Sequence, residues 1–167
     1  MVKGWEERPL GEIISEARLG GNYTNNGKST QYPLIKMGNL SRGSINLNRV
    51  EYIQSIEPDP NDLLNYGDIL FNTRNTPELV GKVAIWRCEL PVSYYNSNLM
   101  RLKFEECDHF FINYIFSTDE MVKKLRDIAI GTTSVAAIYT RDLFLVTILL
   151  PPLSEQRLIG IRQIKCW

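Results

Sequence analysis

With 167 residues, 44% of them hydrophobic and 23% charged, the chain is long enough for one domain with a real core and too apolar for wholesale disorder. Its 19 basic residues balance its 19 acidic ones, which argues against a uniformly basic nucleic-acid binder. The longest apolar run, residues 143–152, is interrupted by Thr147 and too short to span a bilayer, and the start MVKGWEERPLGE has no apolar signal core, so the expectation is a cytoplasmic protein without a membrane segment.

The first element in chain order is WEERPLGEIISEARLG. Leu10, Ile13, Ile14 and Ala17 recur at helical spacing ahead of Gly20 and Gly21, which predicts a short helix or helical turn. GNYTNNGKSTQYP reads as a polar loop with a tight turn at Asn26 and Gly27. YPLIKMGNL predicts a strand running into a turn, and GSINLNRVEYI alternates through Ile45 and Leu47. Pro58 and Pro60 exclude regular structure from SIEPDPNDLLNYGD, so its carboxylates are expected to be solvated, with Asp62 and Asp68 capping or turning the chain.

Residues 68–74 and 82–88 form the clearest strand pair. Ile69 and Phe71 alternate with Leu70 and Asn72, and Val83 and Ile85 with Ala84 and Trp86. A third strand covers residues 97–104, with Leu99 and Arg101 out of phase with Met100, Leu102 and Phe104. From residue 108 to 127 the period becomes helical through Phe111, Ile115, Thr118, Val122 and Leu125. Ser117 and Glu120 have capping-box spacing, which predicts a break into two helices. Residues 144–150 read as a final strand, stopped by Pro151 and Pro152. A helix starts near Ser154, with Leu158, Ile161 and Ile164 spaced by three. Without an internal repeat, this pattern is a mixed α+β fold.

Charge is segregated along the chain. Residues 18–50 carry Arg18, Lys28, Lys36, Arg42 and Arg49 and no acid; residues 51–68 carry Glu51, Glu57, Asp59, Asp62 and Asp68 and no base. Such blocks either build one positive face or are mixed over one surface by folding, and the sequence leaves both open. Cys88, Cys107 and Cys166 match no disulfide framework and no paired zinc spacing. They are expected to be small core residues in a reducing compartment.

Chemistry of the enzymatic kind is sparse. The one histidine, His109, opens the helical stretch beside two phenylalanines and reads as a helix-end residue. No metal-ligand cluster, nucleophile with a partner base, G-x-G-x-x-G or Walker pattern is present, so no cofactor is expected. What remains are polar loops: GGNYTNNGKST, KMGNLSRG, FNTRNTPELVGK and IGTTSV. Arginine and lysine reach guanine edges or phosphates, asparagine pairs bidentately with adenine, and glycine lets a backbone amide approach a phosphate.

Three stretches in order are more specific than any one loop: WEERPLGEI, GDILFNTRNTPELVGKVAIW and GTTSVAAIYTRDLFLVTILLPPLSEQRLIG. Together, over about residues 5–162, they resemble a target-recognition domain from the specificity subunit of Type I restriction–modification systems. The strongest single mark is LPPLSEQ, with Ile159 three positions after its last residue. The resemblance implies a strongly curved β-sheet with flanking short helices, with the Gly131, Thr132 and Thr133 tip among DNA-facing loops. Residues 1–153 would be the recognition domain and residues 154–167 a short or truncated spacer helix. It implies no catalysis in this chain, since methyl transfer and cleavage reside in partner subunits. The Asn-Pro-Pro-Tyr/Phe motif is absent, and Pro151 and Pro152 lack the preceding asparagine.

The implied function is sequence-specific reading of one half of a split duplex target. Lys36, Asn39, Arg42, Arg74, Asn75, Lys82, Thr132 and Thr133 are the DNA-binding candidates, and Leu158, Ile161 and Ile164 form a subunit-interface seam. Expected partners are double-stranded DNA, modification subunits, through them a restriction subunit, and a second copy of the chain. A complete subunit of this kind has two recognition domains and two long spacer helices, whereas this chain has one domain. The rival expectation is therefore a truncated module that docks on modification subunits without reading DNA.

Overall fold

The computed structural model describes residues 4–164. Cys166 and Trp167 lie outside the described residues. The chain opens with β1 (Glu6–Pro9), a single helical turn α1 (Leu10–Ile13) and β2 (Ile14–Leu19). A run of short strands follows: β3 (Asn25–Asn26), β4 (Pro33–Ile35), β5 (Leu40–Ser41), β6 (Ser44–Ile45) and β7 (Glu51–Ile53). Then come β8 (Ile69–Asn72), β9 (Arg74–Asn75), β10 (Val83–Ile85), β11 (Tyr94–Tyr95) and β12 (Leu99–Phe104). The last third holds α2 (His109–Ser117), α3 (Asp119–Ile128), β13 (Ile130–Gly131), β14 (Ala136–Ala137), α4 (Thr140–Leu145), β15 (Thr147–Leu150) and α5 (Leu153–Ile164).

The fold is mixed α+β. Its centre is the four-stranded sheet β10-β8-β12-β2, with β12 antiparallel to both β8 and β2. The period-2 reading of these strands holds. Phe71, Val83, Ile85, Met100 and Leu102 face one core cluster together with Phe111, Phe116 and Leu125 of the helices. Leu70, Ala84, Trp86 and Leu99 face a second cluster with Ile35, Leu40 and Tyr95. The central sheet is therefore buried on both faces, which is why its strands are apolar at nearly every position. Around it lie β11-β4-β7-β3, the β5-β6 hairpin, the β13-β14-β9 sheet and the β1-β15 pair. Single bridges, Gly43 with Ala84 and Gly21 with Asn96, link the first two of these to the central sheet.

The predicted helical break is present, with a different cap. Thr118, not Ser117, caps α3 by accepting from the Met121 amide, and Asp108 caps α2 by accepting from the Phe111 amide. The predicted N-terminal helix is confined to one turn. Residues 14–19 instead form β2 against β12, with Glu16 and Arg18 on one face finding charged partners on β12 and in the turn at residues 59–62. Arg101 Nε donates to Glu16 at 2.7 Å, and Arg18 pairs with Asp59 and Asp62 at 3.1 and 3.3 Å. In so short an apolar segment the partner strand decides. The final strand is likewise shorter than expected: residues 144 and 145 complete α4, and only residues 147–150 pair with β1.

Two further expectations are corrected. Asp62 and Asp68 are buried, 2% and 5% exposed, although Asp68 does turn the chain by accepting from the Asn65 amide at 2.8 Å. Cys88 is not a core residue. It is exposed at φ 61, while Cys107 is half-buried and its thiol is pushed up to about 11 by burial.

Candidate nucleic-acid interface

The two charge blocks neutralise each other in part. Arg18 is paired with Asp59 and Asp62, and Lys36 Nζ donates to Glu51 and, at 2.9 Å, to Asn25. Glu51 is held below the usual carboxylate range, first by that hydrogen bond, which outweighs the opposing effect of burial, and further by the charges of Lys36 and Arg49. The basic surface that remains comes from exposed Arg42 of the first block and from residues farther along the chain.

Arg74 and Asn75 form β9, which pairs with β14, and β14 pairs with β13. The turn between β13 and β14 holds Thr132 and Thr133. Thr132 shapes it, its amide donating to Val135 O at 2.8 Å and its hydroxyl accepting from the amides of Ser134 and Val135. One small sheet thus collects four of the eight DNA-binding candidates. Arg74 is exposed and has no ion-pair partner among the described residues. Asn75 donates to Asn72 Oδ1 at 2.8 Å and accepts from the Thr76 amide, which fixes its carboxamide.

Arg42 and Lys82 lie together at the other end of the same region. Arg42 is exposed at the tip of the β5-β6 hairpin. Lys82 Nζ donates to Leu40 O at 2.8 Å and to Met37 O at 3.4 Å. Burial first, and the nearby charge of Arg42 second, hold the Lys82 ammonium below the ordinary lysine value. Glu78 lines both a narrow gap of about 10 Å³ beside Arg42, Lys82 and Val83 and an open cleft of about 340 Å³ beside Arg126, Gly131 and Thr132. Arg42 and Lys82 on one hand, and Arg126 and the Thr132 turn on the other, thus both border Glu78.

Lys36 and Asn39 are placed differently. Lys36 stands on the β3-β4-β7 side in its ion pair. Asn39 is 5% exposed; its Nδ2 donates to Asn46 O and Arg49 O at 3.0 and 2.8 Å, and its Oδ1 accepts from the Lys36 amide. Every polar atom of that side chain holds the loop, so Asn39 is a brace where a base reader was expected. Lys82 is also a brace in part, through its two carbonyls.

Arg126 lies in none of the polar loops that the sequence singles out; its guanidinium donates to Glu78 O at 3.0 Å beside the Thr132 cleft. Its place in the last turn of α3, just ahead of the Gly-Thr-Thr tip, was the available signal. Asn72, also outside the candidates, is 0% exposed, donates to Arg74 O and Asn98 O and so sets the exit of β9 from the central sheet.

At the far end, LPPLSEQ has a structural explanation. Glu155 and Gln156 amides both donate to Pro152 O, which starts α5. The Gln156 side chain, 1% exposed, accepts from the Asp108 amide at 3.0 Å and donates to Pro151 O at 2.9 Å. It ties α5 to the start of α2. Gly160 closes the crossing: a Cβ there would stand 2.4 Å from Asp108 Oδ1. The predicted seam faces away from this contact, with Leu158, Ile161 and Ile164 exposed by 62%, 53% and 37%. Leu10 and Ile13 of α1 lie in the main core.

The family profile described as Type I restriction modification DNA specificity domain matches residues 2–163. The chain belongs to this family. A protein of Methanocaldococcus jannaschii, named as the MjaX type I restriction enzyme specificity subunit, is 27% identical over 162 residues, covering 93% of this chain and 38% of its own length. Two solved structures share the fold of this specificity domain. The HsdS subunit from Thermoanaerobacter tengcongensis superposes with a TM-score of 0.67 at 21% identity, over 99% of this chain and 37% of its own. A chain from a structure of type I R-M complex assembly and conformational transition gives 0.69 at 22%, over 99% and 39%. The chain thus spans well under half the length of these relatives. Among the described residues no helix is long and apolar enough to cross a membrane.

Proposed function

We propose that this specificity domain reads one half of a split duplex DNA target and performs no chemistry itself, leaving modification and cleavage to partner subunits. The supporting observation is the β9-β14-β13 sheet, which brings exposed Arg74 beside the Thr132 and Thr133 turn, with Arg42, Lys82 and Arg126 around Glu78. Arg74 and Arg42 are the base-reading residues in this proposal. Arg126, Lys82 and the threonine hydroxyls position the phosphate backbone, and Asn39, Asn72 and Asn75 hold the loops. Domain and spacer divide at about residue 153, and the α5 seam is the surface for a modification subunit, through which a restriction subunit joins, or for a second copy of the chain.

Selection from a randomised duplex library, at low salt and then at about 0.15 M, tests the reading. A short motif enriched in a salt-dependent way is the expected result. The exposed seam also favours the rival, a docking module. Retention on modification subunits with no motif enriched, at either salt concentration, supports that rival and overturns DNA reading by this domain.

A further inference from the structure

The β5-β6 hairpin has two residues on each strand and a turn at Arg42 and Gly43. A hairpin this small has no stability of its own in water. It is held at the Gly43 peptide from two directions. Gly43 N–H donates to Val83 O at 2.8 Å on the sheet side. On the helix side, Asn113 Nδ2 donates to Gly43 O at 3.0 Å through the interior, across 70 residues of sequence. Gly43 stands at φ 87, a conformation that glycine adopts without strain but does not enforce, so the two hydrogen bonds are what hold the tip in it.

Asn113 is 2% exposed in the middle of α2, and its Oδ1 has no partner. Stability alone favours leucine at such a place: it has the same branching and number of side-chain heavy atoms, better helix propensity and no buried acceptor left unsatisfied. The feature that asparagine adds is the grip on the Gly43 carbonyl. Lys82 holds the Leu40 end of the same hairpin, so the exposed Arg42 leaves a turn fixed at its base and at its tip. Sites that must place a side chain to a fraction of an ångström need such support beneath them.

We propose that Asn113 is a positioning residue for DNA recognition, fixing from inside the domain the direction in which Arg42 meets a base pair. This rests on the DNA-reading function proposed above. The inference concerns selectivity at one base pair, with overall affinity carried elsewhere.

Three variants, Asn113→Leu, Arg42→Ala and their combination, are compared with the wild type by motif selection, by the salt dependence of binding and by amide hydrogen exchange. Asn113→Leu is expected to relax the same base-pair position as Arg42→Ala, by about 5- to 50-fold, with an unchanged salt slope. The double variant loses no more discrimination than Arg42→Ala alone. The Gly43 and Ser44 amides exchange at least about tenfold faster in Asn113→Leu. Full discrimination in folded Asn113→Leu, equal weakening on all sequences, or unchanged hairpin exchange each overturns the inference. Should Asn113→Leu not fold, Asn113→Ala carries the same comparison. A wild type that enriches no motif removes the DNA-reading function and this inference together. Enrichment of the same motif by wild type and Asn113→Leu, with no loss of preference at the Arg42-dependent position, removes the inference alone.

Discussion

Arg101 and Arg74 lie near the two ends of one strand system and in opposite surroundings. Arg101, on β12, is 4% exposed, donates to Glu16 at 2.7 Å and Leu63 O at 3.0 Å, and stands 5.5 Å from the Tyr95 ring centre. Arg74, two residues beyond the end of β8, is exposed and has no ion-pair partner among the described residues. The first charge is used inside the frame and the second is held out by it. Net charge misses this difference: a neutral protein presents a basic surface when its acids are occupied with bases elsewhere.

The largest effect expected from breaking that contrast is on the frame. Arg101→Ala leaves Asp68 buried without its ion-pair partner at 3.9 Å and leaves Glu16 with Lys103 alone, at 3.8 Å. Burial already pushes the Asp68 carboxyl above its ordinary value, against the pull of the Asn65 amide and Arg101. Losing one side of a buried pair costs about 3–5 kcal/mol. Denaturant unfolding should show this, while the selected DNA motif stays that of the wild type under folding conditions. A loss below about 1 kcal/mol would show that Arg101 is not part of the frame.

Arg74→Ala is the opposite case. Stability should stay within about 0.5 kcal/mol. Discrimination at one base pair should fall by about 1–3 kcal/mol if Arg74 touches a base edge. Weakening that is equal on all sequences assigns it to phosphate. Unchanged DNA affinity in the folded variant removes it from the interface.

The frame was legible in the sequence and its loops were not, for physical reasons. Alternation in residues 68–74, 82–88 and 97–104 records a sheet covered on both faces, so each strand carries its own signature. Residues 14–19 carry none, because β2 exists through pairing with β12, with Glu16 and Arg18 finding partners on distant segments. The same holds at the candidate site. Arg42, Arg74 and Lys82 were visible as cations in glycine-rich loops. Whether an asparagine reads a base or braces a loop depends on which carbonyls surround it, and Asn39, Asn72 and Asn113 each meet carbonyls or amides from other segments. LPPLSEQ was visible as a signature, but the Gln156 clamp on Asp108 was not, since it joins positions 48 apart.

Gly160→Ala tests the other rigid junction of the frame. The added methyl would meet Asp108 Oδ1 at 2.4 Å and the Phe111 amide nitrogen at 3.1 Å. Overpacking there costs about 1–3 kcal/mol, and disturbing the α2 cap adds to it. The gain in helix propensity, about 1 kcal/mol, offsets part of this. A net loss of about 1–2 kcal/mol is expected in thermal or denaturant unfolding, and a more stable variant would show that α5 is not closely seated on α2.

A smaller effect separates the neutralised cations from the available ones. Glu51 titrates below its ordinary 4.5 because it accepts from Lys36. A depressed carboxylate contributes stability above its unfolded value, and that contribution is lost as pH falls through the folded one. Lys36→Met should therefore cost about 0.5 kcal/mol near neutral pH, and the gap to wild type should close below 4.5. A gap independent of pH would mean that the lysine matters for packing and not for charge.

The smallest effect on the domain's own stability is expected at the α5 seam. Leu158 and Ile161 are 62% and 53% exposed, and α5 is seated through Gln156, Ile159 and Gly160. Leu158→Glu with Ile161→Glu therefore leaves the domain folded, with stability changed by about 0.5 kcal/mol or less. An exposed apolar stripe on a helix already held in place is preordered for another helix, because the entropy of forming it has been met by the domain. Sedimentation of residues 1–167 over a concentration series should show a weak dimer, the two-fold pairing that a single seam allows, and the double variant should abolish it. Monomers at every accessible concentration in both proteins would exclude self-pairing. The seam's proposed partner would then be a modification subunit alone, to be tested by whether the double variant loses its retention on that subunit.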